Sequence, residues 1–226
     1  MKALLHKLYL TFVKDDHYRF FLSGLGTTLL LTFASFILGT VLGIALCAAL
    51  RSRRPAVRKV AGVIRTFFME LPTMVLLMIL VYVVFGRSSL PVLCIVILGL
   101  TLKAATYLSE IFDSALDTIA AGEAEAARTL GMTRWQAFRY VVLPQTAQAA
   151  LPLYQSQFVD TLEETSIVGY LAVVDLTRAS EIVSSRTMDA FIGLFTIAIV
   201  YFVIGFVVKR LIRRIAAPSR KGGEVA

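Results

Sequence analysis

Long, charge-poor apolar segments are the feature that most constrains this chain. Four of them, at about residues 23–50, 60–85, 90–109 and 188–208, reach the roughly 20 residues that a helix needs to cross a bilayer. Of the 226 residues, 58% are apolar and 17% are charged, and the mean hydropathy is +0.77. The chain is therefore predicted to be an all-α polytopic membrane protein. A soluble globular fold is excluded, and so is a membrane barrel, whose strands alternate apolar and polar residues.

About five transmembrane helices are expected within a membrane domain over residues 20–212. The predicted spans cover about 23–50, 60–85, 90–113, 144–170 and 188–210. The fourth of these is too polar to be found by hydropathy, and the argument for it is one of parity. The loop at 51–59 and the chain end after the last span are both rich in Lys and Arg, which mark the cytoplasmic side, so an even number of crossings must separate them. The N-terminus is then outside and the C-terminus inside.

The two ends of the chain are predicted to lie at the membrane surface. Residues 1–19 have apolar positions at helical spacing among charged ones, which favours an interfacial amphipathic helix over a signal peptide. Residues 213–226 form a basic cytoplasmic tail. The formal net charge of +8 is concentrated beside the spans, which indicates contact with the bilayer and no nucleic-acid partner. His6 and His17 have no second ligand at metal spacing and are expected at the surface.

Small residues in the apolar segments suggest packing roles. Cys47 and Cys94 lie within apolar runs, where a cysteine usually packs as a small hydrophobic residue, and no disulfide framework or metal site is predicted. Gly39 and Gly43 form a G-x-x-x-G pair, a spacing that permits close helix approach and also arises by chance in apolar segments. Both explanations stay open.

A polar stretch over residues 114–143 favours two short helices on the cytoplasmic side. Gly131 stands where the first helix would end in a left-handed cap. Thr133, with Gln136 three residues later, forms a capping box for the second helix, which is expected to end against Pro144. The stretch is either a connector resting on the headgroups or a docking element for a cytoplasmic partner.

This stretch resembles the EAA loop of ATP-binding-cassette importer permeases. The resemblance rests on Glu125-Ala126-Ala127, then Gly131, then Val141-Val142-Leu143-Pro144, with Val141 where Ile is common. Further matches favour the polar amino-acid branch: Gly24-Leu25, Thr28-Leu29, Ala105, Tyr107, Glu110, Leu143-Pro144-Gln145, Leu151-Pro152, Thr165-Ser166, Val168 and Asp175-Leu176. The resemblance therefore extends along most of the chain.

The resemblance implies a transport subunit that is not itself an enzyme. It implies two cytoplasmic ATPase subunits, a second permease chain (an identical copy or a sister permease), an external solute-binding protein and a bacterial inner-membrane location. ATP and Mg would bind the ATPase subunits, and this chain would bind no cofactor. It has no G-x-x-x-x-G-K-[ST] loop. Glu125 would make a polar contact with the ATPase surface, Ala126 and Ala127 would allow close approach, and Gly131 would form the turn. The implied coupling residues are Gly122, Glu125, Ala126, Ala127, Gly131, Leu143 and Pro144.

Three departures from the family pattern affect the expected substrate. The family's usual Arg-Gly-Thr-Pro turn is replaced by Met69-Glu70-Leu71-Pro72. Its usual Lys-Asp-Thr-Ser is replaced by Glu163-Glu164-Thr165-Ser166, and its Arg after the third-span Glu is replaced by Asp113. Basic positions near the expected path have become neutral or acidic, which favours a substrate with additional positive charge.

A zwitterionic amino acid needs a cation near its carboxylate and acceptors near its ammonium. The candidate path residues are Glu70, Pro72, Lys103, Glu110, Glu163, Glu164, Thr165 and Ser166. In the alternative interpretation, Lys103 pairs with a neighbouring acid, or the acids lie at the outer surface. Other functions also stay open: an importer for another solute, such as a metal chelate or methionine; an ion-gradient-driven secondary transporter; or a structural or signalling subunit, which would leave the EAA spacing unexplained.

Overall fold

The computed structural model describes Tyr9, Thr11 and residues 16–119 and 121–216. Most of the predicted interfacial helix, and the tail from residue 217 onward, lie outside these described residues. The helices are α1 (Tyr18–Leu50), α2 (Pro55–Glu70), α3 (Thr73–Met78, continuing as a π-helix over Ile79–Val84), α4 (Val92–Thr118), α5 (Ala121–Thr129), α6 (Arg134–Ala137, continuing as a π-helix over Phe138–Val142), α7 (Leu143–Glu164, followed by a 3-10 helix over Thr165–Leu171), α8 (Leu176–Thr187) and α9 (Ala190–Ala216). No strand occurs in the described ranges, so the all-α expectation is confirmed.

Within the described residues, three helices are long and apolar enough to cross a membrane: α1, α4 and α9. The pair α2 and α3 counts as a fourth candidate if the two helices form one broken span. α7 is not among the candidates, so its crossing of the membrane stays a prediction that rests on parity. α8 was not predicted from the sequence.

α4 is the central helix, and α1 packs closely along it. A Cβ atom on Gly39 would lie 2.8 Å from the Cβ atom of Ala104, and one on Gly43 would lie 2.9 Å from the Cβ atom of Leu108. Since real Cβ atoms do not approach this closely, the two helices can touch here only because α1 has no side chain at these positions. The packing role of the G-x-x-x-G pair is therefore confirmed.

Three apolar clusters hold the remaining helices against α1 and α4, and one of them joins α1, α8 and α9 through Phe21, Val183 and Ile197. Another joins α3, α4 and the 3-10 helix through Leu77, Leu100 and Val168. The third joins α1, α4 and α7 through Phe36 and Phe158, whose rings meet edge to face 5.1 Å apart. The outer faces of α1 and α9 expose large apolar side chains, as expected of helices that face lipid or another membrane chain.

α8 is fixed against α1 by its N-terminal cap. The carboxylate of the buried Asp175 accepts hydrogen bonds from the backbone N–H groups of Thr177 and Arg178, both at 3.0 Å. The backbone N–H of Leu176 donates to the Thr28 hydroxyl of α1 at 3.0 Å. Free helix-end donors are thus satisfied inside the protein, which explains why an Asp is buried here.

Two expectations from the sequence are wrong. The helix beginning at Arg134 does not end against Pro144, because α6 runs directly into α7 and Pro144 lies in the first turn of α7. Pro144 follows directly on the π-helical stretch Phe138–Val142, where the regular i→i−4 hydrogen-bond pattern of the helix is already interrupted, so its missing N–H costs less there. His17 is 2% exposed, against its predicted surface position, and packs edge-on to Phe20 with ring centroids 6.5 Å apart.

Candidate functional site

A sharp break separates α2 from α3. The two helices meet at an angle of 105°. Leu71 and Pro72 between them have extended conformations, with ψ of 131° and 132°. Proline has no N–H to donate and disfavours a helical conformation in the residue before it, so the last carbonyl groups of α2 lose their helical donors.

Lys103 of α4 supplies the missing donors. Its Nζ atom donates to the backbone carbonyl oxygens of Phe68 at 3.2 Å, Met69 at 2.8 Å and Leu71 at 2.5 Å. An ammonium group has three N–H donors, so these three carbonyls use all of them. The side chain is almost fully buried, and the ammonium lies 5.2 Å from the centre of the Tyr107 ring.

This geometry differs from both expectations for Lys103. The ammonium hydrogen-bonds backbone carbonyls and no carboxylate among the described residues, so the predicted direct pairing with an acid is wrong. Glu164 and Glu70 still lie within electrostatic range of it. Its donors are also occupied, which leaves none for the carboxylate of a substrate in this conformation.

Glu164, at the end of α7, contacts the other arm of the break. Its Oε1 atom accepts a hydrogen bond of 2.8 Å from the hydroxyl of Thr73, the first residue of α3. Its Oε2 atom is buried and has no hydrogen-bond partner among the described residues. A carboxylate thus lies at the N-terminal end of α3 and an ammonium at the C-terminal end of α2, the arrangement that the helix dipoles favour.

The other predicted path residues differ from one another in exposure and in contacts. Glu70, Pro72 and Glu163 are exposed, the first two at the break itself. Thr165 is buried and donates to the carbonyl of Leu162, and Ser166 is half-buried.

Two residues at the break, Thr73 and Tyr107, were not predicted as path residues. Thr73 could have been suspected as the first residue after Pro72. Tyr107 lies one helical turn after Lys103, and its hydroxyl is 3.5 Å from the carbonyl oxygen of Met69.

Glu110 belongs to a separate ion network where α1, α2 and α4 meet. Arg65 of α2 lies 2.9 Å from Glu110 and 3.2 Å from Asp113, and Arg51 lies 2.7 Å from Asp113 and 2.5 Å from Asp117. Burial lowers the pKa of Arg51, but the hydrogen bonds to the two aspartates outweigh this effect and raise the pKa above its usual value. The structure therefore does not group Glu110 with Lys103.

The second candidate site is the polar segment made of α5 and α6. Gly131 has a φ of +90°, as the left-handed cap requires. The N–H of Gly131 donates to the carbonyl of Arg128, and the N–H of Met132 to that of Ala127, which is the Schellman pattern. Thr133 and Gln136 form the predicted capping box, with hydrogen bonds of 3.2 and 2.8 Å. Both local predictions are confirmed.

The exposed face of this segment is termed the coupling surface. It comprises Gly122, Glu125, Ala126, Leu130, Gly131 and Trp135, all of them exposed. On α5, positions 122, 125 and 126 share one helix face. Ala127 is 4% exposed and packs within the chain, so it is not available for the partner contact predicted for it. Leu143 and Pro144 are exposed at the start of α7.

A hydrogen bond ties the segment that carries the coupling surface to α7. The amide of Gln145 in α7 donates to the carboxylate of Glu123 in α5. Trp135 and Phe138 lie side by side, with ring centroids 6.0 Å apart, and are exposed despite their size. Large exposed apolar side chains that lie against each other, as Trp135 and Phe138 do, are typical of a site that binds another protein.

Comparisons with known proteins agree with these features. A family model described as "binding-protein-dependent transport system inner membrane component" matches residues 36–221. The "probable amino-acid permease protein YxeN" of Bacillus subtilis is 31% identical over 187 residues, 81% of this chain and 84% of the relative. The histidine/lysine/arginine/ornithine transport system permease protein HisM of Escherichia coli is 28% identical over 225 residues, 95% and 94% of the two chains.

One solved structure is similar across nearly its whole length. It is the crystal structure of an amino acid ABC transporter with histidines, with a TM-score of 0.80 and 29% identity. The match covers 89% of this chain and 95% of that chain.

Proposed function

This chain belongs to the family of binding-protein-dependent transport system inner membrane components and is a permease subunit of an amino-acid ATP-binding-cassette importer; from this premise we propose how it couples to its partners and what it transports. It forms part of the translocation path for a polar amino acid. The energy comes from ATP hydrolysed by separate subunits that bind the coupling surface.

The observation that carries the proposal is the geometry of the coupling surface. A Schellman turn at Gly131 and a capping box at Thr133 fix the angle between α5 and α6 through local hydrogen bonds. This rigid corner presents Glu125 and Ala126 outward, so an ATPase subunit can press against α5 without first ordering it. Glu125 offers a carboxylate for a charge-assisted hydrogen bond, and Ala126 permits close approach.

The expected assembly has two permease chains, two cytoplasmic ATPase subunits and an external solute-binding protein. ATP and Mg bind the ATPase subunits. The chain resides in the bacterial inner membrane with its N-terminus outside and its C-terminus inside. The support for this orientation is the distribution of Lys and Arg, which are twice as numerous on the segments assigned to the inside as on those assigned to the outside.

Exposed acidic side chains, Glu70 at the break in the second span and Glu163 near the end of α7, favour a substrate with a cationic side chain. Glu70 and Glu163 are exposed, whereas Lys103, the nearby cation, has its donors occupied by carbonyl groups. An exposed acidic surface attracts a guanidinium, ammonium or imidazolium group. The name of the relative HisM, which includes histidine, lysine, arginine and ornithine, points in the same direction.

The test is to purify the tagged chain from its native host in mild detergent and to identify co-purifying proteins by mass spectrometry. The complex is then reconstituted with its solute-binding protein, and ATP hydrolysis and uptake are measured for lysine, arginine, histidine, glutamine and glutamate. We expect an ATPase subunit in the sample and stimulation by cationic amino acids. A chain that purifies alone and transports solute under an ion gradient would contradict the importer, and selective stimulation by glutamate would contradict the substrate class.

A further inference from the structure

We propose that Lys103, Glu164 and Thr73 are positioning residues that connect the coupling surface to the broken second span, and that they are not ligands of the transported amino acid. This inference rests on the proposed function. It assigns a mechanical role to residues that the sequence suggested as substrate contacts.

Two charged side chains hold the two arms of the break separately. Lys103 binds the carbonyl end of α2, and Glu164 binds the first residue of α3. Lys103 belongs to α4 and Glu164 to α7. The angle between α2 and α3 is therefore set by the relative position of α4 and α7, and a shift of either helix must move one arm or break its hydrogen bonds.

α6 and α7 form one continuous helical stretch. Helical residues run without interruption from Arg134 to Glu164 through the π-helical stretch. At 1.5 Å per residue, this helical stretch, which contains Pro144 and Pro152, is about 45 Å long. One end carries Trp135 of the coupling surface, and the other end carries the carboxylate bonded to Thr73. A displacement of the coupling surface is thereby transmitted to the break in the second span.

Lys103 and Glu164 differ in how many of their polar atoms have hydrogen-bond partners. All three donors of Lys103 are used, whereas the Oε2 atom of Glu164 is buried without a partner among the described residues. Lys103 and Glu164 also lie within electrostatic range of each other. The break is therefore held by one ammonium whose donors are all used and by one carboxylate with an oxygen that can still accept a donor.

The experiment compares Thr73→Val with Thr73→Ser in the complete importer, reconstituted in liposomes with its solute-binding protein. Valine has nearly the shape of threonine but cannot donate to Glu164, whereas serine keeps the hydroxyl. We expect Thr73→Val to lower transport at saturating substrate by about tenfold, the size expected when a hydrogen bond to a charged group is lost. The KM should stay within about twofold, ATP hydrolysis should continue uncoupled, and Thr73→Ser should behave like the wild type.

Lys103→Met provides a second variant, because Met fills a similar volume without charge or donors. It should also lower the rate and leave the KM unchanged, and Lys103→Arg should restore part of the rate. Hydrogen exchange of the peptide over residues 66–76 should be faster in both Thr73→Val and Lys103→Met. Thr66→Val serves as the matched control, since Thr66 is exposed on α2. It should change neither the transport rate nor the hydrogen exchange.

Two results would overturn the inference. One is a rise in KM with an unchanged maximal rate in Thr73→Val or Lys103→Met, as expected of a substrate contact. The other is unchanged exchange of the 66–76 peptide in both variants. A wild-type complex that fails to couple ATP hydrolysis to uptake would contradict the proposed function instead, while the exchange measurement would still report on the break.

Discussion

Lys103 shows how a single charge can be retained inside a membrane domain. A buried cation costs several kcal/mol unless partners compensate for its lost hydration. Here the partners are backbone carbonyls that the break in the second span has already deprived of donors. The turn itself carries Met69-Glu70-Leu71-Pro72, and the cation beside it comes from α4.

Gly131 is the residue of the coupling surface whose substitution has the clearest consequence. Its φ of +90° penalises any residue with a Cβ atom, and a β-branched side chain most strongly. We expect Gly131→Val to cost about 1–2 kcal/mol locally. The variant should insert into the membrane normally while substrate-stimulated ATP hydrolysis by the reconstituted complex falls severalfold.

Gly62→Ala is the matched control for this variant. Gly62 lies within α2, and no atom beyond the adjacent backbone of its own helix lies within 4 Å of the Cβ atom that alanine would add. It should leave ATP hydrolysis unchanged, because alanine is favourable in a helix interior. Wild-type coupling in Gly131→Val would show that the left-handed turn is not needed to hold α5 against α6.

Among the helices, α1 and α4 illustrate how an element is positioned by what it lacks. Gly39 and Gly43 let α1 contact the backbone of α4, and the buried Ala104 and Ala105 leave the facing surface of α4 flat. Dispersion and backbone contacts at this distance hold membrane helices together where lipid removes the hydrophobic driving force.

Gly43→Ala therefore tests the α1–α4 contact. The added Cβ atom would lie 2.9 Å from the Cβ atom of Leu108 and 3.1 Å from the carbonyl oxygen of Ala105. Overpacking of this kind typically costs about 1–3 kcal/mol, so the unfolding temperature of the detergent-solubilised chain should fall by several degrees. On the same helix, the Cβ atom that Gly26→Ala would add has no neighbour from another part of the chain within 4 Å. Gly26→Ala should therefore not lower the unfolding temperature. Equal effects of the two variants would contradict the close approach.

The ion network at the ends of α1, α2 and α4 is a second determinant of helix position. Asp113 accepts from both Arg51 and Arg65, and all three side chains are about one quarter to two fifths exposed. Asp113→Asn should destabilise the chain by about 1 kcal/mol at low salt, the upper range for partly exposed pairs. The loss should shrink in 1 M NaCl, where the Debye length falls to about 3 Å.

Glu181→Gln is the control for the ion network. It breaks a half-exposed pair with Arg178 within one turn of α8 and should change the stability by less than about 0.5 kcal/mol. A destabilisation by Asp113→Asn that does not depend on salt would indicate a packing role of Asp113 and not an electrostatic one.

For the molecule as a whole, the orientation in the membrane and the crossing of α7 can be tested together. Single cysteines are placed in a chain without Cys47 and Cys94, at the exposed Ser89, at Ser185 of α8 and at Ser52 in the basic loop. An impermeant maleimide applied to intact spheroplasts should label Ser89→Cys and Ser185→Cys. It should label Ser52→Cys only after the membrane is permeabilised.

Each labelling outcome bears on one element. Labelling of Ser52→Cys in intact spheroplasts would reverse the proposed orientation. Protection of Ser185→Cys together with labelling of Ser89→Cys would show that α7 does not cross the membrane, despite the parity argument. Transport by each single-cysteine chain must be measured first, because only an assembled importer reports the native topology.

Local signals in the sequence determined much of this protein. The apolar runs specify α1, α4 and α9, since a helix in lipid must satisfy its backbone hydrogen bonds within itself. Gly131 and the pair Thr133–Gln136 specify the corner of the coupling surface, because their hydrogen bonds join residues only a few positions apart. A contact of this kind is fully encoded in a short stretch of sequence.

Only the tertiary structure decided the partners of the charged side chains. The acceptors of Lys103 are backbone carbonyls 32 to 35 residues away, and a carbonyl group carries no side-chain signature. Glu164 and Thr73 are 91 residues apart and meet only because α3 and α7 pack beside α4. The sequence thus identified residues that must not face lipid, but whether each one binds substrate, another charge or the backbone depends on helix packing, which local periodicity does not encode.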